Sequence, residues 1–454
     1  VKLRFLFPVL LTLGACMSTG NVDTPTRAAI SDTTLPPMKS FATPQPAQPA
    51  RSNRDIARDF LDLSFELESG RSLDTLTRFE GPITLRVTGK APPAMMPDLN
   101  RLIARLRNEA RIDIRLVRDA SANITIQAVS RREIRKALPQ AACFVVPNIS
   151  SLSQYRSARR NASTNWALLE SREKIALFVP NDASPQETRD CLHEELAQAL
   201  GPLNDLYRLP DSVFNDDNIH AVLTGFDMTV LRAYYDPSLK NGMTRDQVAA
   251  RLPAILARIN PRGERLSSRY LPATPRAWID AVQTALGPGT PPANRRAAAR
   301  RALQIAQQQG WQDHRLGFSH YALGRLMQSQ DGNAAHAHFL NADRAYARVT
   351  QFGPHRAFVA TQLAAHALSS GRTQEALNLI APQLPPAAQY ENAALLSTLM
   401  LLRAEALDVQ GKLDEAGAVR LDSLGWARYG FGPDWAVRSK LREISALSPL
   451  NRRF

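Results

Sequence analysis

The sequence predicts an α+β domain with a mixed twisted sheet over residues 53–287, followed by an all-α helical-repeat solenoid over residues 295–454. Three observations point there. The first half alternates amphipathic helical periods with apolar runs of strand length. Residues 287–292 read GPGTPP, and stacked Gly and Pro forbid helix, so 288–294 is a linker. Everything after it has helical periodicity. A chain of 454 residues is also too long for one core.

The start of the chain speaks to the compartment. Lys2 and Arg4 form a short basic region, and the apolar run 5–13 is too short to span a bilayer. It ends in Leu13-Gly14-Ala15-Cys16, which resembles the bacterial lipoprotein signal. That resemblance implies a diacylglycerol on the Cys16 thiol and a membrane lipid anchor; an ordinary secretion signal is the alternative. Met17 after the cysteine implies an outer-membrane lipoprotein facing the periplasm. Residues 17–52 are rich in Pro, Ser, Thr and Ala without an apolar period, as expected of a disordered tether. The net charge of +14 favours acidic partners, but the basic residues are scattered and no nucleic-acid motif is present.

Within the first domain, helices are expected over 55–69, with Gly70 as the stop, and over 98–110. Strands are expected over 82–87, 113–117, 123–129, 143–147 and 174–180. Ser184 caps a helix with Glu187 three residues on. Further helices are expected over 218–235, 242–259 and 275–286, the last with Trp278 buried.

Residues 189–218 read RDCLHEELAQALGPLNDLYRLPDSVFNDDN. A zinc helix of the HExxH type sets two His one turn apart, with Glu as general base. His193-Glu194 opens such a pattern, but the residue four after His193 is Ala197. One residue on, Glu194-Glu195-x-x-Gln198-x-x-Gly201-x-x-Asn204 has the spacing of the metzincin motif HExxHxxGxxH, with Glu, Gln and Asn where the three His belong. Glu195 takes the general-base place, and Gly201 takes the sharp turn. Ser212-Val213-Phe214 stands where a metzincin has its Met-turn. Strand, helix, several strands and then the site helix is also the order of a metzincin amino-terminal half.

RFEGPI (78–83), RLIARLRNEARIDI (101–114), CFVVP (143–147), EELAQALGPLND (194–205), SVFNDD (212–217) and LRAYYDPSLKNGM (231–243) resemble the bacterial family known as domain of unknown function 2927. The resemblance implies an exported α+β domain, a degenerate relative of metzincin-like peptidases, and brings no established reaction.

Glu194 and Gln198 share a helix face, and a turn at Gly201-Pro202 brings Asn204 or Asp205 back towards it. The expected remnant site is therefore Glu194, Glu195, Gln198, Asn204 and Asp205. No catalytic residue, metal or cofactor is expected. The alternative is a metal-dependent hydrolase with Glu195 as base and these unusual ligands. Carboxylate and amide oxygens suit calcium better than zinc. The acidic run Asp205, Asp211, Asp216 and Asp217 matches no EF-hand spacing. His220 is the other His of this domain. Cys143 and Cys191 are a disulfide candidate in an exported chain, or two buried thiols. Cys191 and His193, two apart on a helix, point to different faces and make no catalytic pair.

The C-terminal half reads as helix pairs. Gly332, Gly371 and Gly411 recur 39 and 40 residues apart, with Ala335, Ala342, Ala376 and Ala416 at crossing points. This resembles tetratricopeptide architecture, although the usual repeat is about 34 residues. The resemblance implies a surface for an envelope protein partner; an appendage docked on the first domain is the alternative. Trp426, Tyr429, Phe431 and Trp435 cap the last pair or anchor a ligand. The function expected overall is a non-catalytic envelope scaffold or adaptor binding protein, peptide or glycan.

Overall fold

Alternating apolar residues in 83–89 and 124–129 and the unbroken apolar run 175–180 build the centre of one sheet. A computed structural model describes residues 35–42, 47–118, 121–349 and 353–452. The first part runs α1 (Asn53–Ser64), β1 (Ile83–Gly89), α2 (Met95–Asn108), β2 (Ile114–Leu116), β3 (Ile124–Val129), α3 (Arg131–Ala137), β4 (Phe144–Pro147), α4 (Leu152–Ala158), β5 (Ile175–Pro180), α5 (Pro185–Leu200), α6 (Gly225–Tyr234), α7 (Arg245–Ala249), α8 (Leu252–Ile259) and α9 (Arg276–Leu286). The strand order is β2-β1-β3-β5-β4. Four strands are parallel, and edge strand β4 runs antiparallel to β5.

Both faces of the sheet are covered, so β5 is buried at all six positions and reads as an unbroken apolar run. Ile175, Leu177 and Val179 face a core shared with α1, α2, α5 and α6. Ala176 and Phe178 face a smaller core with Ile134 of α3 and Leu152 of α4. Neither α3 nor α4 was expected from periodicity, because each is only seven residues long. Ser130 and Glu133 start α3 with a reciprocal capping box.

Three expected helices differ. The helix read over 55–69 ends at Ser64, well before Gly70, because the chain turns extended and Glu66 bridges to Ser72. The helix read over 218–235 starts only at Gly225, because Thr224 and Asp227 form a capping box there and Asn218 adopts a positive φ of 57°. The helix read over 242–259 divides into α7 and α8, since Pro253 lacks the N–H that would continue α7 and is tolerated in the first turn of α8.

The second part contains α10 (Pro292–Gln308), α11 (His314–Met327), α12 (Gly332–Val349), α13 (His355–Ser369), α14 (Thr373–Ile380), α15 (Leu384–Gln389), α16 (Ala393–Val409), α17 (Leu413–Phe431) and α18 (Asp434–Ser445). Gly371 and Gly411 follow α13 and α16 with φ of 76°, the left-handed conformation that ends a helix without a Cβ penalty. Gly332 instead opens α12. The Gly-Pro stretch read as a linker is a turn, and α9 packs directly on α10 across it.

The described residues from Pro36 on form one compact unit. Buried polar contacts join its two parts. Gln186 of α5 exchanges hydrogen bonds with Asn392 Oδ1 (3.1 Å) and Ala394 N (2.9 Å). Arg189 donates to Glu391 O at 2.9 Å. Tyr429 donates to Asp98 Oδ2 at 2.8 Å. Trp278 also crosses, giving its indole N–H to Ser319 Oγ at 3.0 Å.

Residues 1–16, with Cys16, lie outside the described residues, as does most of the stretch read as a tether. Its described portions, 35–42 and 47–52, have no helix or strand, and from Pro36 on they belong to the folded body. Phe41 is 8% exposed and stacks on Trp426, with centroids 4.5 Å apart. Burial of one such side chain contributes roughly 2–3 kcal/mol.

A disulfide joins Cys143, just before β4, to Cys191 in the middle of α5, closing 48 residues of chain. For a loop of that length, constraint of the unfolded chain stabilises by roughly 4 kcal/mol at most. The Cys143→Ser variant should lose up to that amount relative to the oxidised protein, read as a lower urea midpoint. Reduction of the unaltered protein should reproduce the loss.

Candidate functional site

α5 is held at three places. At its start, Ser184 Oγ accepts the Glu187 N–H at 3.1 Å, and Pro185 occupies the first turn. Glu187 directs its carboxylate to Arg131 rather than back to Ser184. In the middle sits the disulfide. At its end, the buried guanidinium of Arg172 donates to Gln198 O (2.6 Å), Ala199 O (2.8 Å) and Gly201 O (2.5 Å). Those carbonyls have no partner within the helix, and they form the negative end of its dipole. Tyr235 Oη donates to Leu200 O at 2.9 Å. Gly201 is required by contact, since a Cβ there would lie 2.9 Å from the Tyr234 ring.

Sequence reading missed Arg172. It lies between expected strands, and no local pattern ties it to a helix end 26 residues later. Leaving buried carbonyls unpaired costs about 1–3 kcal/mol each. Arg172→Leu should therefore destabilise the protein by at least ~3 kcal/mol, measured by urea denaturation.

The middle of α5 presents Glu194, Glu195 and Gln198 to a cluster of carboxyls. Glu68 comes from the segment after α1, Asp205 from the segment after α5, and Asp216 from the 212–217 loop. Glu68 lies beside Gln198 and Asp205. Tyr207 donates to Asp216 Oδ2 at 2.7 Å, and Gln283 adds a second bond. Glu195 is 5% exposed. Its Oε2, like Asp205 Oδ1, is buried with no hydrogen-bond partner among the described residues.

The electrostatics follow from that crowding. Burial, then Asp216, Glu68 and Asp190, push the Glu194 carboxyl up to about 8. Burial, then Glu194 and Glu68, hold Glu195 well above the usual carboxylate range. Asp205 is held well above it by burial, Glu68, Glu194 and Asp216. Glu68 and Asp216 are also raised, chiefly by burial. Glu194, Glu195 and Asp205 are thus pushed towards their protonated forms, in which the carboxyl hydroxyl is a donor rather than a base.

The expected remnant residues divide. Glu194, Glu195, Gln198 and Asp205 come together. Asn204 does not join them: its amide donates to Asp62 O at 2.9 Å, tying the loop to the end of α1. His193 faces the core, where Nδ1 accepts the Leu223 N–H at 3.0 Å. Burial, with Arg105, Arg189 and Arg101 nearby, depresses its pKa well below the usual value. His220 lies elsewhere, its Nε2 3.0 Å from Pro210 O and its ring against Tyr390. The acidic run goes three ways. Asp211 pairs with Arg51. Asp217 accepts from Asn215 and Ile219 N and sits 3.8 Å from His355 Nε2. Only Asp205 and Asp216 reach the cluster. Glu68 had no sequence signal, because its place depends on how the turn after α1 folds back. Among the described residues, no group of three or more His, Cys, Asp or Glu is placed to hold a metal ion.

A carboxyl whose folded pKa exceeds its unfolded value stabilises the fold while protonated. That contribution is full below the unfolded pKa and is lost as pH rises through the folded value, about 8 for Glu194. His220 and His314, depressed by burial to about 4, act oppositely, losing their contribution as pH falls from 6.5 towards 4. Thermal stability should peak around pH 5–6.5 and decline towards pH 8.5. Glu194→Gln should flatten that alkaline decline in a melting-temperature series.

Residues 53–254 match the family model described as Protein of unknown function (DUF2927), which supports that domain family for this segment. Neither the curated proteins nor the solved structures contain a match to the chain.

Proposed function

We propose that this chain is a non-catalytic scaffold or adaptor of the bacterial envelope. In this reading residues 53–287 form a degenerate metzincin-like domain, and residues 295–454 form a tetratricopeptide-like module that binds an envelope protein. A lipid at Cys16 would anchor the chain to the outer membrane. That no helix among the described residues is long and apolar enough to cross a membrane is compatible with such an anchor. The sheet, with helices interleaved and the site helix following β5, supports the metzincin-like reading.

The observation that carries the loss of catalysis is Glu195. A general base must be ionised near the working pH. Glu195 occupies the base position, yet burial and its neighbours Glu194 and Glu68 raise its pKa well above the usual carboxylate range, which disfavours the ionised form a base needs. The position four after His193 is Ala197, buried in the core. A protonated carboxyl cluster instead offers hydrogen-bond donors, suited to hold a helix in place or to meet the carbonyls and hydroxyls of a peptide or glycan.

The second reading is a metal-dependent hydrolase with Glu195 as base and with Glu194, Gln198 and Asp205, which lie beside it, as unusual ligands. A bound cation would displace the carboxyl protons. The donors are oxygens, which fit a hard cation such as calcium and not the imidazole set that zinc prefers. Metal content decides between the readings. The purified protein, dialysed against zinc and calcium, should retain less than stoichiometric metal by elemental mass spectrometry. A photo-crosslinking residue at the exposed Trp435 should capture one discrete envelope protein in cells, and Glu195→Gln should leave that capture unchanged. Stoichiometric zinc that disappears in Glu195→Ala, together with peptide hydrolysis, would overturn the adaptor reading.

A further inference from the structure

Residues 36–42 lie on α17 in the manner of a bound peptide. Three main-chain groups of the segment are read by the surface beneath. Lys39 N–H donates to Gly425 O at 3.0 Å. Arg428 donates to Pro36 O at 3.0 Å, and Arg101 of α2 donates to Phe41 O at 2.8 Å. Side chains two apart are read as well, as an extended backbone requires. Lys39 pairs with Asp422 and lies 5.4 Å above the Trp426 ring. Phe41 stacks on Trp426 and meets the edge of Tyr429, with centroids 6.4 Å apart. Met38 and Ser40, between these positions, face solvent. Gly425 makes the close approach possible, since a Cβ there would come within 2.9 Å of Lys39 Cγ and 3.2 Å of Pro37 O. Pro36 and Pro37 pre-set an extended backbone and reduce the entropy lost on binding.

The segment is fixed at its root and weak at its tip. Ala47 O packs against Gly225, where a Cβ would lie 2.0 Å away. Arg51 pairs with Asp59 and Asp211 and covers the Phe226 ring at 4.3 Å. In 36–42, by contrast, Phe41 alone is buried. The Lys39–Asp422 pair is more than two-fifths exposed on both sides, so solvent screens it. One aromatic anchor must offset the ordering of the whole tip.

We infer that the groove formed by Trp426, Tyr429, Gly425, Asp422, Arg428 and Arg101 is a recognition site for an extended, proline-rich protein segment with a basic residue two positions before an aromatic. Residues 36–42 occupy it in cis, and a partner segment of the same chemistry enters by displacing them. This rests on the proposed adaptor role and specifies the partner chemistry. Charge complementarity selects the basic residue through Asp422, and the Trp426 face selects the aromatic.

The test uses the full chain and a fluorescein-labelled peptide with the sequence of residues 36–42, followed by anisotropy. In the unaltered protein the peptide competes against a tethered copy at an effective concentration of order millimolar. In Phe41→Ala the slot is open, and the peptide should bind at least about tenfold tighter. Lys39→Glu, which alters an exposed side chain, should produce the same gain should Phe41→Ala fold poorly. Asp422→Lys in either background should weaken binding about tenfold or more, and a peptide with Ala for the phenylalanine should not bind. Equal affinity for the unaltered and opened proteins, or no binding to either opened variant, would overturn the inference. If crosslinked partner capture at Trp435 persists while the peptide does not bind, this site falls and the adaptor role stands. If the peptide binds with these dependences but the protein holds stoichiometric zinc and hydrolyses peptides, the site stands and the adaptor role falls.

Discussion

Helix α5 is buried along nearly its whole length, and the rest of the fold is arranged to satisfy a helix that cannot reach water. Twelve of its sixteen residues are buried. Polar groups in that setting need partners, and each comes from a different part of the chain. Arg172 takes the carbonyls of its last turn, the 391–394 stretch takes Gln186 and Arg189, and Leu223 N–H takes His193. The disulfide adds a covalent hold at Cys191. Where partners do not suffice, at Glu194 and Glu195, burial raises the carboxyl pKa values instead.

The same constraint explains why the two parts form one unit. The first half of α5 is covered by the 391–394 turn and by α17, and Gly432 brings the end of α17 against Ser184, the residue that caps α5. Tyr429 serves both parts, donating to Asp98 of α2 and lying beneath the Arg189 guanidinium. The helical region is therefore a structural wall of the α+β domain as well as a surface in its own right.

Residues 36–42 extend that surface. A stretch with the composition of a tether carries a Phe that fills an aromatic slot, and composition alone does not distinguish the two roles. The slot is made by α17, whose aromatic residues were already visible near the end of the sequence. What they face depends on a segment nearly four hundred residues away.

Much was legible from local pattern. The apolar alternation of 124–129, the unbroken run of 175–180 and the Ser184 cap all place elements within a residue or two, because side-chain period and end-capping are local physics. The spacing of Glu194, Glu195 and Gln198 placed them beside one another for the same reason. Asn204 went elsewhere, because a backbone carbonyl of α1 offered its amide a buried partner. Glu68, Arg172 and Asp216 entered from distant turns with no periodic signal. Sequence by itself determined the helices, the strands and the absence of imidazoles at the motif positions, since these follow from residue type and spacing. Only the tertiary structure decided which carboxyls meet, and hence that their pKa values rise, because a pKa shift depends on burial and on neighbours that chain order does not reveal.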